Sequence, residues 1–371
     1  MAAPATINIE TLLAPISENA PAGQNLRGDS SAASVYFRLK DARSSARAAE
    51  RRADAEGLSS TSVLPEWQTI LSLAPKSIGE SSKDLEIAAW LTEALVRAHG
   101  FGGLHEGLQL LRGLVERYWD TFFSLEDEDG LETRLAPLAA LNGVGGEGTL
   151  IQPLRKVAVT AQSGDEGPFA AYHHDSAWSL SQVGDPEARA RREQAGEVTM
   201  QRFTAAVNAS GGVFYISLLE DIDASLAEVD ALGRVLDERA GRDAPSLSEI
   251  KSVLSTVRDM VESVSRELVA RARAVATITP GDTMNGSGNG NGLAISNGVV
   301  LGREEALRTL ARVADYFRQH EPHSPISTSL DEIVRRAHMP FPQLLAELLP
   351  DPAAWRSALI SAGIKPPPES G

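Results

Sequence analysis

Two short stretches carry residue types that could hold a metal ion or move protons. The candidate ligands are His320, Glu321 and His323 in "RQHEPHSP", and His173, His174 and Asp175 in "YHHDSAW". A protein zinc site usually takes two histidines spaced i and i+4 on one helical face, with a further ligand nearby. Adjacent histidines, or histidines separated by a Glu-Pro break, do not stack on one face. No serine lies in a nucleophile elbow either. We therefore predict no catalytic residues, no metal and no cofactor.

The stretch around His320 has a structural explanation, which is that one helix ends there and another begins. Pro322 lacks a backbone N–H and disfavours helical geometry in Glu321, so a helix arriving at His320 should end there. Ser324 followed by Pro325 has the form of a helix cap and a first-turn proline. The pattern predicts a junction between two helices.

Composition narrows the class of protein. The 371 residues include 35 basic and 50 acidic ones, for a net charge of −15, and there is no cysteine. Disulfides, thiolate zinc sites and iron–sulfur clusters are thereby excluded. A negative surface repels phosphate backbones, so we expect no nucleic-acid partner. No run approaches the ~18 apolar residues of a membrane span, and the first residues do not resemble a secretory signal, so we expect a cytoplasmic protein without membrane insertion.

Helical periodicity dominates the chain and predicts an all-α fold. Two apolar-periodic stretches, 85–99 and 104–119, are joined by "GFGG", which predicts an antiparallel pair. Ser82 is the expected cap of the first of these helices. Further upstream, Arg43, Arg47 and Arg51 recur at i, i+4 and predict a solvated helix face.

A heptad pattern marks the last long helix before residue 277. Its apolar positions alternate by three and four residues, the spacing of a knobs-into-holes seam: Leu247, Ile250, Leu254, Val257, Val261, Val264 and Leu268. One interpretation pairs this seam with the preceding helix in an intramolecular hairpin. The other adds contact with a second subunit.

These patterns divide the chain into five parts. We predict an extended N-terminal arm over 1–30, a helical domain over 31–142, a middle helical domain with a long hairpin over 149–276, a flexible Gly/Asn/Ser linker over 277–301 and a small helical C-terminal module over 302–371.

Several stretches resemble a known family. "LLAPISENAPAGQNLRGD", the run from "SKDLEIAAW" to "RYWDTFFSL" and "RLAPLAALNG" are similar to the ImpA-type N-terminal domain, and "REEALRTLARVADYFRQHEPHSPIS" with "MPFPQLLAEL" resembles the C-terminal part of TssA-type proteins of bacterial type VI secretion systems. The similarity covers about residues 7–142 and 302–350. The strings that carry it supply our candidate protein-interaction residues: Lys83, Asp84, Trp90, Trp119, Asp120, Tyr316, Phe317, His320, Glu321, Pro322, His323, Ser324 and Pro325. Trp355 joins Tyr316 and Phe317 as a possible aromatic anchor, with ordinary core packing as the alternative for all three.

The resemblance implies assembly and no catalysis. It implies a large homo-oligomeric ring, formed through the C-terminal module, that links baseplate, tail tube and sheath and helps start or guide tail polymerisation, with the membrane complex as a further partner. Two alternatives from other classes stay open at this point. One is a small dimeric adaptor that uses the heptad seam, and the other is a metal protein that uses the histidine-rich stretches.

Overall fold

The computed structural model describes residues 6–31, 33–56, 64–124, 130–162, 167–276, 303–321, 325–337, 339, 341–348 and 351. Over these residues the regular elements are helices and there is no strand, so the predicted all-α fold is confirmed. The helices are α1 (Ile9–Leu13), α2 (Val35–Ala55), α3 (Leu64–Glu80), α4 (Leu85–Tyr118), α5 (Leu131–Asn142), α6 (Ile151–Lys156), α7 (Ala171–Ser181), α8 (Pro186–Gln194), α9 (Met200–Ala240), α10 (Ser248–Ala276), α11 (Arg303–His320), α12 (Ile326–Ala337) and α13 (Phe341–Leu348). The chain forms two compact units, Met1–Ala274 and Val275–Gly371.

Helix α4 folds back on itself at the centre of the first unit. Gly100 breaks the helix with φ 59° and ψ −135°, a conformation that only glycine adopts readily. A Cβ on Gly107 would lie 2.6 Å from the Thr92 side chain, and one on Gly103 would meet the Leu95 carbonyl. These approaches show that 85–99 and 101–118 run antiparallel, as the "GFGG" turn predicts.

The start of α4 differs in one detail from the sequence prediction. Asp84, not Ser82, caps the helix, since its carboxylate accepts hydrogen bonds from the backbone N–H groups of Glu86 and Ile87 at 2.9 and 3.1 Å. Ser82 is instead buried just before the helix. Two N–H groups that have no partner within the helix are satisfied by one carboxylate.

Helices α9 and α10 form a long antiparallel hairpin. Gly211 interrupts α9 with φ 75°, and the part after it runs beside α10. Lys251 pairs with Asp230 near the turn, and Arg258 pairs with Asp223 farther along. At the open end, Gly212 lies against the Leu268 carbonyl, where a Cβ would not fit.

The N-terminal and middle segments share one hydrophobic core. Ser225 of α9 donates its hydroxyl to the Phe101 carbonyl at 2.9 Å, and the Ile250 N–H donates to the Asn142 side chain at 3.0 Å. The predicted boundary at 142–149 therefore does not separate two compact units. It is a glycine-rich turn inside the first unit, because α4 and α9 pack directly against each other.

The second unit contains α11, α12 and α13. Arg318 of α11 pairs with Asp331 of α12, and Glu347 of α13 binds both Arg335 and Arg336 of α12. The expected linker over 277–301 lies outside the described residues, and so do Pro322, His323, Ser324 and Trp355.

Candidate interaction sites

Lys83 is a fully buried cation at the start of α4. Its ammonium donates hydrogen bonds to the carbonyls of Leu12 at 2.7 Å and Ile78 at 2.8 Å, and it lies 5.8 Å from the centre of the Tyr118 ring. Burial lowers the pKa of Lys83 to about 8. The lysine thus fastens the N-terminal arm to the end of α3.

Asp84 and Trp90 are also covered by the arm and by α2. The Arg27 guanidinium binds Asp84 and donates to Glu86 at 2.7 Å, while burial raises the pKa of the Asp84 carboxyl against the opposing effect of Arg27. The Tyr36 ring lies 5.5 Å from that of Trp90. The prediction that Lys83, Asp84 and Trp90 form a surface for partners is corrected here: these residues are interior and hold the fold together.

Trp119 and Asp120 lie where α4 ends. The Arg134 guanidinium lies 5.5 Å from the centre of the Trp119 ring and 4.1 Å from that of Phe122, and it donates to the Trp119 carbonyl. Trp119 is half-buried, whereas Asp120 is exposed. Of the five candidates from this half of the chain, only Asp120 is open to solvent.

The heptad seam of α10 packs against its own chain. Its first five members are buried and the last two are half-buried in the core of the first unit: Leu247, Ile250, Leu254, Val257, Val261, Val264 and Leu268. A second subunit would find the seam covered by α9. The hypothesis of a dimeric adaptor requires this seam to be exposed, and the structure shows it buried within one chain.

The histidine-rich stretches have structural surroundings. His173 Nδ1 accepts a hydrogen bond from the Ala170 N–H at 3.0 Å and so caps α7, and His174 lies 3.3 Å from exposed Asp175. Over the described ranges, no three His, Asp or Glu side chains are grouped as a metal site would require. His320 is the last residue of α11, and the exposed Glu321 follows it.

A cluster of arginines and carboxylates lies between α2 and α4. Arg43 donates to both oxygens of Glu93 at 2.7 and 3.1 Å, and Glu93 is only 1 % exposed. Arg97 binds both oxygens of Glu50 and lies 4.1 Å from the centre of the Trp67 ring. The predicted solvated face is therefore wrong for Arg43, because its carboxylate partner, fifty positions away in sequence, is buried.

Known proteins share this arrangement of helices. Residues 13–143 match the family model described as ImpA, N-terminal, type VI secretion system. A solved structure from Burkholderia cenocepacia, the N-terminal domain including the conserved ImpA_N region of the TssA component of the type VI secretion system, matches with a TM-score of 0.59 and 30 % identity. The match covers 71 % of this chain and 96 % of that domain. This chain belongs to the TssA family.

A second relative matches almost the whole chain, including the part that follows the N-terminal domain. The type VI secretion system component TssA1 of Pseudomonas aeruginosa is 24 % identical over 377 aligned positions, which cover 93 % of this chain and 96 % of that protein. The TssA-family chain is thus a component of a type VI secretion system. Among its described helices, none is long and apolar enough to cross a membrane.

In the second unit of this TssA-family chain, the structure shows exposed apolar residues on α12 that the sequence prediction missed. Tyr316 and Phe317 are half-buried, with ring centres 5.7 Å apart, whereas Ile326 and Ile333 of α12 are 42 % and 51 % exposed. With half-buried Leu330 they follow the spacing i, i+4, i+7 of one helical face. That spacing is visible in the sequence and predicts an apolar stripe, but only the structure shows which face of α12 the neighbouring helix leaves open.

Proposed function

We propose that this TssA-family protein is a non-enzymatic assembly component of a type VI secretion system in the cytoplasm. In this proposal its second unit forms a ring-shaped oligomer. The ring links baseplate, tail tube and sheath, and helps to start or guide tail polymerisation. Family membership supports the place in the apparatus, and the separation of the chain into two compact units supports a division of labour.

The observation that best supports ring formation is the apolar stripe on α12, formed by Ile326, Leu330 and Ile333. Aliphatic side chains 42 % and 51 % exposed on so small a unit leave apolar area in water that association would bury. Ion pairs from Arg318 and Arg335 bind α12 to α11 and α13, and among the described residues of this unit Ile326 and Ile333 stay exposed beside these contacts. A ring needs contact between two different faces of each subunit. The stripe supplies one of these faces.

Light scattering on the full chain tests the proposal. We expect the wild type to have the mass of a large discrete oligomer, and Ile333→Glu to reduce that mass because a carboxylate in the contact would lose its water. Val213→Glu is the matched control, since Val213 is 38 % exposed on α9 of the first unit and its substitution should leave the mass unchanged.

Two results would contradict the ring. The first is a monomeric wild type, and the second is an Ile333→Glu variant that keeps the full mass. Circular dichroism on each variant separates loss of assembly from loss of folding, and Ile326→Ser provides a milder change on the same stripe.

A further inference from the structure

Arg47 has unusual surroundings among the arginines of α2. It lies one helical turn after Arg43 and one before Arg51, and the charges of Glu93 and Arg97 of α4 act on its guanidinium. Its side chain is half-buried, yet no described residue accepts a hydrogen bond from its guanidinium. Arg43 and Arg97, by contrast, each bind both oxygens of a carboxylate.

The charges around Arg47 do not balance. Glu93 is bound to Arg43, Glu50 to Arg97, and Asp54 to Lys156 of α6. Burial lowers the pKa of Arg47, and Arg43, Arg97 and Arg51 lower it further against the opposing effect of Glu93. Among the described residues, the guanidiniums of Arg47 and exposed Arg51 therefore lack a bound carboxylate, on a protein whose net charge is −15.

An aromatic side chain lies near Asp54, in the last turn of α2. Tyr172 of α7 is 46 % exposed, and its pKa is raised by burial and by the nearby Asp54 carboxylate. The Asp54–Lys156 pair thus connects α2 to the region of Tyr172. Arginine and tyrosine are, together with tryptophan, the residue types enriched at the energetic centres of protein interfaces.

We propose that Arg47, Arg51 and Tyr172, here called the Arg47 surface, bind an acidic segment of a protein partner. Guanidinium groups bind carboxylates through two parallel hydrogen bonds, and the two arginines lie one turn apart, so adjacent carboxylates could occupy both. The exposed ring of Tyr172 offers apolar contact that a small anion would not use.

This inference adds to the proposed scaffold function because it gives the chemistry of one partner of the first unit. Its test measures binding of a peptide to the full chain, whereas the ring is tested by mass. Either proposal can therefore fail without the other.

Calorimetric titration of the full chain with octaglutamate, at low and at high salt, is the first experiment. We expect salt-sensitive binding that Arg47→Gln and Arg51→Gln each weaken about tenfold, the loss typical of a charge-assisted hydrogen bond. Tyr172→Ala should weaken the binding of an acidic peptide that also contains a leucine more than it weakens the binding of octaglutamate. Arg242→Gln is the control, because Arg242 is 96 % exposed and its substitution removes the same charge elsewhere on the first unit.

Thermal unfolding of the same variants separates a binding role from a structural one. If Arg47 is kept for a ligand, Arg47→Gln should leave the melting temperature unchanged or raise it, since the substitution removes a half-buried charge crowded by like charges. A lower melting temperature for Arg47→Gln would assign it a structural role and overturn the proposal.

Three binding results would also overturn it. They are absence of octaglutamate binding by the wild type, an equal loss in Arg242→Gln, and binding of inorganic phosphate to the Arg47 surface without binding of octaglutamate. The last result would assign the site to a phosphate ligand.

Discussion

At the residue scale, Lys83 should make the free energy of unfolding depend on pH in the alkaline range. Its burial lowers the amine pKa from 10.5 to about 8, so between these values the unfolded chain binds a proton that the folded chain does not. The free energy of unfolding should therefore rise with pH above about 8, by about 1.4 kcal/mol per pH unit at most. Urea unfolding from about pH 8 to about pH 9.5 measures this slope.

The comparison with Lys83→Met isolates the contribution of this one amine. Methionine keeps most of the volume but does not titrate, so the variant's stability should lack the rise. The pKa of Tyr36 and that of Tyr118 are both raised by burial, which lowers stability once tyrosines of the unfolded chain ionise near pH 10, so the range stops below that value. Parallel curves for the two proteins would mean that the amine is not desolvated.

Residue types were more predictable than their partners. The sequence resemblance selected Lys83, Asp84 and Trp90 and placed them on a surface, whereas the structure buries all three. The groups that bury them, such as Leu12 and Arg27, lie 71 and 57 positions away from their partners Lys83 and Asp84. No local spacing encodes such distant contacts. The Arg47 surface was missed for the same reason, because only the fold shows which neighbouring arginines are paired.

At the element scale, the breaks at Gly100 and His320 were predictable because their causes are local, whereas the predicted cap of α4 was wrong. Gly100 permits a backbone conformation that closes the α4 hairpin, and α11 ends at His320, two residues before Pro322. The heptad spacing of α10 likewise defines a buried seam. Which helix covers that seam is a tertiary property, and the structure assigns it to α9.

The close packing of the two halves of α4 reverses the usual effect of a glycine substitution. Glycine to alanine in an open helix position usually stabilises by about 0.5–1 kcal/mol. At Gly103 the added methyl group would meet the Leu95 carbonyl, so we expect Gly103→Ala to destabilise the protein by about 1–3 kcal/mol or more.

Gly233 of α9 is the matched control for Gly103. Nothing lies within 4 Å of a Cβ at this helical position, so Gly233→Ala should stabilise. Chemical unfolding of both variants measures the difference. A Gly103→Ala protein as stable as the wild type would show that the two halves of α4 do not pack at this distance.

At the scale of the whole molecule, the ImpA-type segment depends on the helices that follow it. A fragment of residues 1–147 would retain the buried residues of α4 but lose α9, which donates from Ser225 to the Phe101 carbonyl and pairs through Glu228 with Arg112. We expect this fragment not to unfold cooperatively, because its largest interface would be exposed. A fragment of residues 1–274 should unfold in one transition, because one core spans it.

Calorimetry and near-UV circular dichroism on the two fragments decide whether the first unit is one folding unit or two. If residues 1–147 melt cooperatively at the temperature of the longer fragment, the boundary suggested by the glycine-rich turn at 142–148 is real in thermodynamic terms, and α9–α10 is an appended hairpin. If only residues 1–274 fold, α9 and α10 complete the N-terminal core. The first unit would then move as one rigid body. The distance between the arginines of α2 and Tyr172 of α7 would be fixed, and a segment that binds the Arg47 surface would have to match that distance.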